Sequence, residues 1–203
     1  MNKTDLSILG RGYKLIPYIN FQNRVLDPLT KNYAYPLEEN GKPLTLAEVA
    51  TRINCAEWEI INLKYDHIST YIRGDCERIL IREPFLFTLS LPFGIVEQEK
   101  LEKVAKKLSN ECFYWFMLLL SKTNQQTNII KEEELKNLIF SKLDPETNRL
   151  LVFLKTRDEL KQKHVLFEEK NENRISYYVY PVFKTSLLKE YPKEFRLRLL
   201  FDH

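Results

Sequence analysis

The residues with the clearest chemical potential are cationic, and they gather in one segment. Asp144–Lys163 carries Arg149, Lys155, Arg157, Lys161 and Lys163 against Glu146, Asp158 and Glu159, and Lys170 and Arg174 follow within ten or so residues. Guanidinium and ammonium groups on one surface neutralise phosphates and release their counterions, which is the main source of affinity for double-stranded DNA. Lys155, Glu159 and Lys163 are spaced by four, so the same residues also suit a salt-bridged, solvated helix face with Glu159 between the two lysines. A second chemical face lies in Lys42–His67. There a helix with Trp58, Ile61, Tyr65 and Ile68 turned inward would present Glu59, Asn62 and Asp66, flanked by Glu57. Asn62 has the donor and acceptor pair that reads an adenine edge, but three carboxylates repel phosphate. Glu57, Glu59 and Asp66 are better suited to a solvated face or to docking a basic partner.

Little supports catalysis. The chain has 3 histidines, and none stands in a metal-ligand spacing. The 3 cysteines, Cys55, Cys76 and Cys112, are widely separated, which fits buried thiols better than a disulfide framework or a zinc site. Gly10-Arg11-Gly12 is too short for a dinucleotide fingerprint, and Glu132-Glu133-Glu134 suits the positive end of a helix. The reading is a non-enzyme without cofactor or metal.

The totals are those of a folded protein. The chain has 203 residues, 44% hydrophobic and 29% charged, with a net charge of +3. Residues 1–95 hold 11 basic and 11 acidic side chains, and residues 96–203 hold 20 and 17, so the positive excess lies in the second half. The N-terminus lacks the apolar core of a signal peptide. The apolar run Cys112–Leu120 is too short to cross a bilayer, which takes about 20 residues. A cytoplasmic protein without a membrane partner is expected.

The elements that must position these faces recur in order. Leu6–Tyr18 suits a short helix, and Asn23–Gly41 a polar, proline-bearing connection. Leu46, Val49, Ala50 and Ile53 then mark one helical face, opened by a Thr45/Glu48 capping box. Asn54-Cys55-Ala56 turns into the second helix. A hairpin follows across Gly74-Asp75, its second strand running over Arg78–Phe87 with a break at Pro84. The second half has helices over Glu97–Leu108 and Ser109–Lys122, a minimal strand at Ile129-Ile130, and a helix over Lys131–Ser141. Asp144-Pro145-Glu146 reads as the start of a helix that runs to about Lys163. Two strands joined at Lys170–Asn173 follow, and FRLRLLF suggests a last strand after Ser186. Helix, small strand, helix, helix, hairpin is the order of a winged helix. The expected fold is α+β, mostly helical, with two tandem winged-helix units over residues 1–92 and 93–203.

YKLIPYINFQNRVL followed by PLTLAEVATRIN resembles the winged helix-turn-helix proteins of low-GC bacterial plasmids and phages, and the paired arrangement is similar to plasmid replication initiators. That resemblance implies a DNA-binding protein acting in replication initiation or transcriptional control, with the second helix of each unit in the major groove and the hairpin on the backbone. The alternative is a protein-interaction module, an adaptor or an inhibitor of a nucleic-acid enzyme, that uses the acidic first unit. Five consecutive apolar residues, Leu150–Leu154, are more than one buried face of a helix accommodates. They are expected to be covered on a second side, between the two units or in a homodimer.

Overall fold

The computed structural model describes residues 3–63, 68–73, 76–87, 96–123, 128–171 and 174–182. The fold is α+β. In chain order the first half holds α1 (Lys3–Tyr13), a 3-10 turn (Ile16–Tyr18), β1 (Val25–Leu26), β2 (Tyr33–Pro36), β3 (Glu38–Glu39), β4 (Lys42–Pro43), α2 (Leu46–Arg52), α3 (Glu57–Asn62), β5 (Ile68–Arg73), β6 (Cys76–Arg82) and α4 (Glu83–Phe87). The second holds α5 (Gln98–Lys107), α6 (Asn110–Lys122), β7 (Ile129–Lys131), α7 (Glu132–Lys142), α8 (Arg149–Gln162), β8 (Leu166–Asn171) and β9 (Arg174–Val179).

The chain follows one path twice. In the first half a helix, a strand, two helices and a hairpin (α1, β2, α2, α3, β5, β6) form a sheet in the order β1-β2-β6-β5; in the second, α6, β7, α7, α8, β8 and β9 form one in the order β7-β9-β8. In the second half β7, directly before the helix pair, adds to the hairpin's second strand; in the first half β2 does so, with a separate β3–β4 ribbon between it and α2, and all these pairings are antiparallel.

Local chemistry explains most of the boundaries. Thr45 Oγ1 accepts the Glu48 N–H while Glu48 Oε2 accepts the Thr45 N–H at 2.8 Å, so the capping box opens α2 as expected. Asn54 takes a left-handed backbone (φ 53°) between α2 and α3, a conformation that asparagine tolerates better than most residues.

The two halves share one apolar core. Every residue of Cys112–Leu120 is buried, so α6 is a central helix. Among the described residues its most extensive helix partner is α1, where the Tyr13 and Tyr114 rings stack at 5.9 Å. Gly10 makes this approach possible, because a Cβ there would fall on the Asn110 carbonyl oxygen.

Several expectations are corrected. The connection Asn23–Gly41 contains β1, β2 and β3, because Asp27 anchors it: the Asp27 N–H donates to the Asn32 carbonyl at 2.8 Å, and the fully buried carboxylate takes Arg82 Nε at 3.2 Å. The strand expected over Arg78–Phe87 with a break at Pro84 instead ends at Arg82, and Glu83 opens α4 with proline in its first turn, where no N–H is needed. The last helix does not start at Asp144-Pro145-Glu146. Asn148 caps it by accepting the Leu151 N–H at 3.1 Å, and residues 144–147 form a turn in which Thr147 donates to the Asp144 carbonyl.

The second helix of the first half is also turned relative to expectation. Ile60 and Leu63 are buried, Trp58 and Ile61 are 62% and 45% exposed, and Ile68 begins β5. Within the single chain the run Leu150–Leu154 is not enclosed between the two halves: Leu150 and Leu151 are about half exposed, which bears on packing within the chain and not on the expected homodimer contact. The expected last strand after Ser186, the boundary between residues 92 and 93, and Asp66 lie outside the described residues.

Candidate nucleic-acid interface

Most of the cations singled out from sequence are committed to the fold. Arg149 Nη2 donates to the Leu143 carbonyl at 3.0 Å and Nε to the Asp144 carbonyl at 3.4 Å, so Arg149 closes the end of α7. Arg157 bonds Asp158 Oδ1 at 2.9 Å, reaches Glu132 Oε1 at 3.6 Å and lies over the Phe153 ring. Lys161 donates to Glu168 Oε2 at 2.7 Å and Lys170 to Glu168 Oε1 at 3.1 Å. Glu168 is thereby held below its ordinary carboxylate pKa; partial burial opposes this, and the two lysine bonds outweigh it. These three elements, α7, α8 and β8, are pinned by cations that therefore have less to offer a ligand.

Glu159 does not bridge Lys155 and Lys163. Instead its carboxylate reaches from α8 to the start of α6, accepting the Ser109 N–H at 2.7 Å and the Ser109 hydroxyl at 2.9 Å. The same hydroxyl oxygen accepts the Cys112 N–H and caps α6. With Glu159 drawn away, Lys155 and Lys163 are exposed and make no ion pair among the described residues.

The result is an open groove of about 700 Å³ between the end of α5 and the outer side of α8. Lys107, Lys155 and Lys163 line it, with Asp158 and Glu159 as its acidic members, each already engaged by Arg157 or Ser109. Nothing in the sequence singles out Lys107. It lies on the polar side of an amphipathic helix some fifty residues before Lys155, and only the fold brings the two to one groove.

The other predicted residues are dispersed. Arg174 is exposed at the start of β9, paired in register with Asn171 near the hairpin tip. Lys170 is 69% exposed on the partner strand. Asn62 is exposed at the end of α3, on the other half of the chain. Of the acidic residues, Glu57 is exposed, whereas Glu59 is consumed: Oε1 pairs with Arg11 of α1 at 2.5 Å and Oε2 accepts the Ala56 N–H at 2.8 Å.

Among the described residues no cluster of His, Cys, Asp and Glu has the makings of a metal site, and no helix is long and apolar enough to cross a membrane. Compared with protein-family models, curated proteins and solved structures, the chain matches none.

Proposed function

We propose that the protein binds double-stranded DNA through a pair of winged-helix units and serves a mobile element, a plasmid or phage, in replication initiation or transcriptional control. The observation that carries this reading is the repeated topology. A helix, a strand, two helices and a hairpin, with the first strand added to the hairpin's second, recur in that order in both halves, and this order is compatible with a winged helix. The groove of Lys107, Lys155 and Lys163 supports it by supplying cations for phosphate, and the exposed Arg174 gives the β8–β9 hairpin one more. A gel shift of the full chain on pooled duplex sequences at low salt tests it; no retained complex on any duplex defeats the reading.

A second reading, a protein-interaction module, is favoured by α3. Trp58 and Ile61 stand exposed beside Glu57, a combination of apolar anchor and carboxylate that suits a basic protein partner better than a phosphate backbone.

A further inference from the structure

Adjoining the lysine groove at Leu108 and Ser109 lies a second, less open cavity of about 550 Å³. Its walls come from both halves of the chain: the ends of α1 and α2 on one side, the end of α5 and the start of α6 on the other. The size falls within the range of small-molecule sites, about 300–1,000 Å³. Among the described residues its lining includes Lys14, Arg52 and Lys106 and not one Asp or Glu.

Each cation is held in place. The Lys14 side chain is almost wholly buried, and its Nζ donates to the Leu108 carbonyl at 2.6 Å, one bond for an ammonium that has three donors. Arg52 is paired with Glu39, and Lys106 with Glu102 at 2.6 Å; Glu102 also accepts the Tyr18 hydroxyl at 3.0 Å. Neither carboxylate lines the cavity. Asn110 in the wall opens α6, whose first turn is already capped by the Glu159 carboxylate through Ser109, so the lysine and arginine side chains, not the helix end, supply the positive charge.

We propose that this cavity binds a small molecule bearing a phosphate group, held by Lys14, Arg52 and Lys106. The lining cations match a dianionic phosphate, and the adjoining polar side chains of Asn54 and Asn110 suit the rest of a nucleotide-sized ligand. Lys14 and Leu108, whose carbonyl takes the Lys14 ammonium, both line the cavity, so a terminal phosphate there would compete for or join that ammonium. Because both halves contribute walls, an occupant would tie α2 to the α5–α6 turn and stabilise the folded chain by mass action.

The test is calorimetric titration and thermal melting of the full chain with inorganic pyrophosphate and with AMP, against sodium chloride at matched ionic strength. Saturable binding and a raised Tm with either probe are expected, and the tighter of the two says whether the site takes inorganic phosphate or a nucleotide. Arg52→Gln and Lys106→Gln, each of which lies outside the apolar core, should weaken binding about tenfold, the loss of one charged hydrogen bond. Lys14→Met should abolish it, and Lys136→Gln, a charge change outside the cavity, should leave it unchanged. The proposal is overturned if neither probe binds above the chloride control, or if Arg52→Gln and Lys106→Gln bind as the parent does. It is equally overturned if a short duplex binds and loses affinity in these two variants while pyrophosphate and AMP do not bind.

Discussion

Gly10 of α1 and Asn110 of α6 meet backbone to backbone: the glycine has no Cβ, and the space a Cβ needs is occupied by the Asn110 carbonyl oxygen. This close joint ties the two halves together in their shared core. Glycine inside a helix ordinarily costs about 1 kcal/mol relative to alanine, so on helix propensity alone Gly10→Ala should stabilise the protein. Overpacking against backbone costs more, about 1–3 kcal/mol or beyond, and it decides the sign. Urea denaturation should show Gly10→Ala less stable than the parent by about 2 kcal/mol; equal or greater stability would mean that α1 does not sit against α6 in this way.

Lys14 gives the protein a pH signature. Its pKa is lowered to about 8, chiefly by burial and also by Arg11, with Glu159, Cys112 and Cys55 acting in the opposite direction. Above that value the folded protein has released a proton that the unfolded chain keeps up to 10.5, so the Lys14 contribution to stability rises with pH through this window. Cys55 and Cys112, raised by burial, and Tyr18, raised by burial and Glu102, pull the other way at higher pH. Tyr18 is common to the parent and Lys14→Met, whereas Cys55 and Cys112 lose a charge that lowers their pKa, so the comparison reports the lysine together with its effect on these two thiols. Between about pH 7.5 and pH 9.5 the parent should gain about 1–2 kcal/mol on the variant. A difference that stays flat with pH would show that Lys14 is not held in its charged form against burial.

The cations divide by task. Arg149→Ala should lower stability by about 1 kcal/mol, since it leaves the Leu143 and Asp144 carbonyls without their donor, and should change DNA affinity little. Lys155→Gln should do the reverse, keeping stability within about 0.5 kcal/mol and weakening DNA binding on every sequence alike. Denaturation and gel shifts on both variants check this; a DNA defect confined to Arg149→Ala would invert the assignment.

Trp58→Ser separates the two functional readings. The indole is 62% exposed, so its loss should leave stability within about 0.5 kcal/mol of the parent. If α3 docks a protein, pull-downs with the variant lose the partner that the parent recovers while duplex binding persists. A variant that unfolds would instead return Trp58 to the core, as its spacing with Ile61 suggests.

That spacing marks the limit of what the sequence makes legible. The helices α5, α6 and α7 are readable because each has one apolar stripe or is apolar throughout. Helix α3 is six residues long and carries two overlapping stripes, Trp58/Ile61 and Ile60/Leu63, both at helical spacing. The choice between them depends on packing and on Glu59, which must face Arg11 of α1. Asp144 and Asn148 are likewise competing caps four residues apart, and Arg149 decides between them by holding the carbonyls before the turn. The candidate site is half legible. Lys155 and Lys163 stand out in the sequence, but their release depends on Glu159 choosing Ser109, and Lys107 joins them from α5. Such long-range pairings leave no periodic trace.

If Lys107, Lys155 and Lys163 neutralise DNA phosphates, the effect appears in the salt dependence of duplex binding, measured for the parent and for the triple variant Lys107→Gln/Lys155→Gln/Lys163→Gln. Affinity should fall linearly with salt on logarithmic axes, and the variant's slope should be shallower by about one for each phosphate that is no longer neutralised, about three in all. A triple variant that folds normally and binds duplex DNA with the parent's affinity and slope would show that these lysines do not contact phosphate.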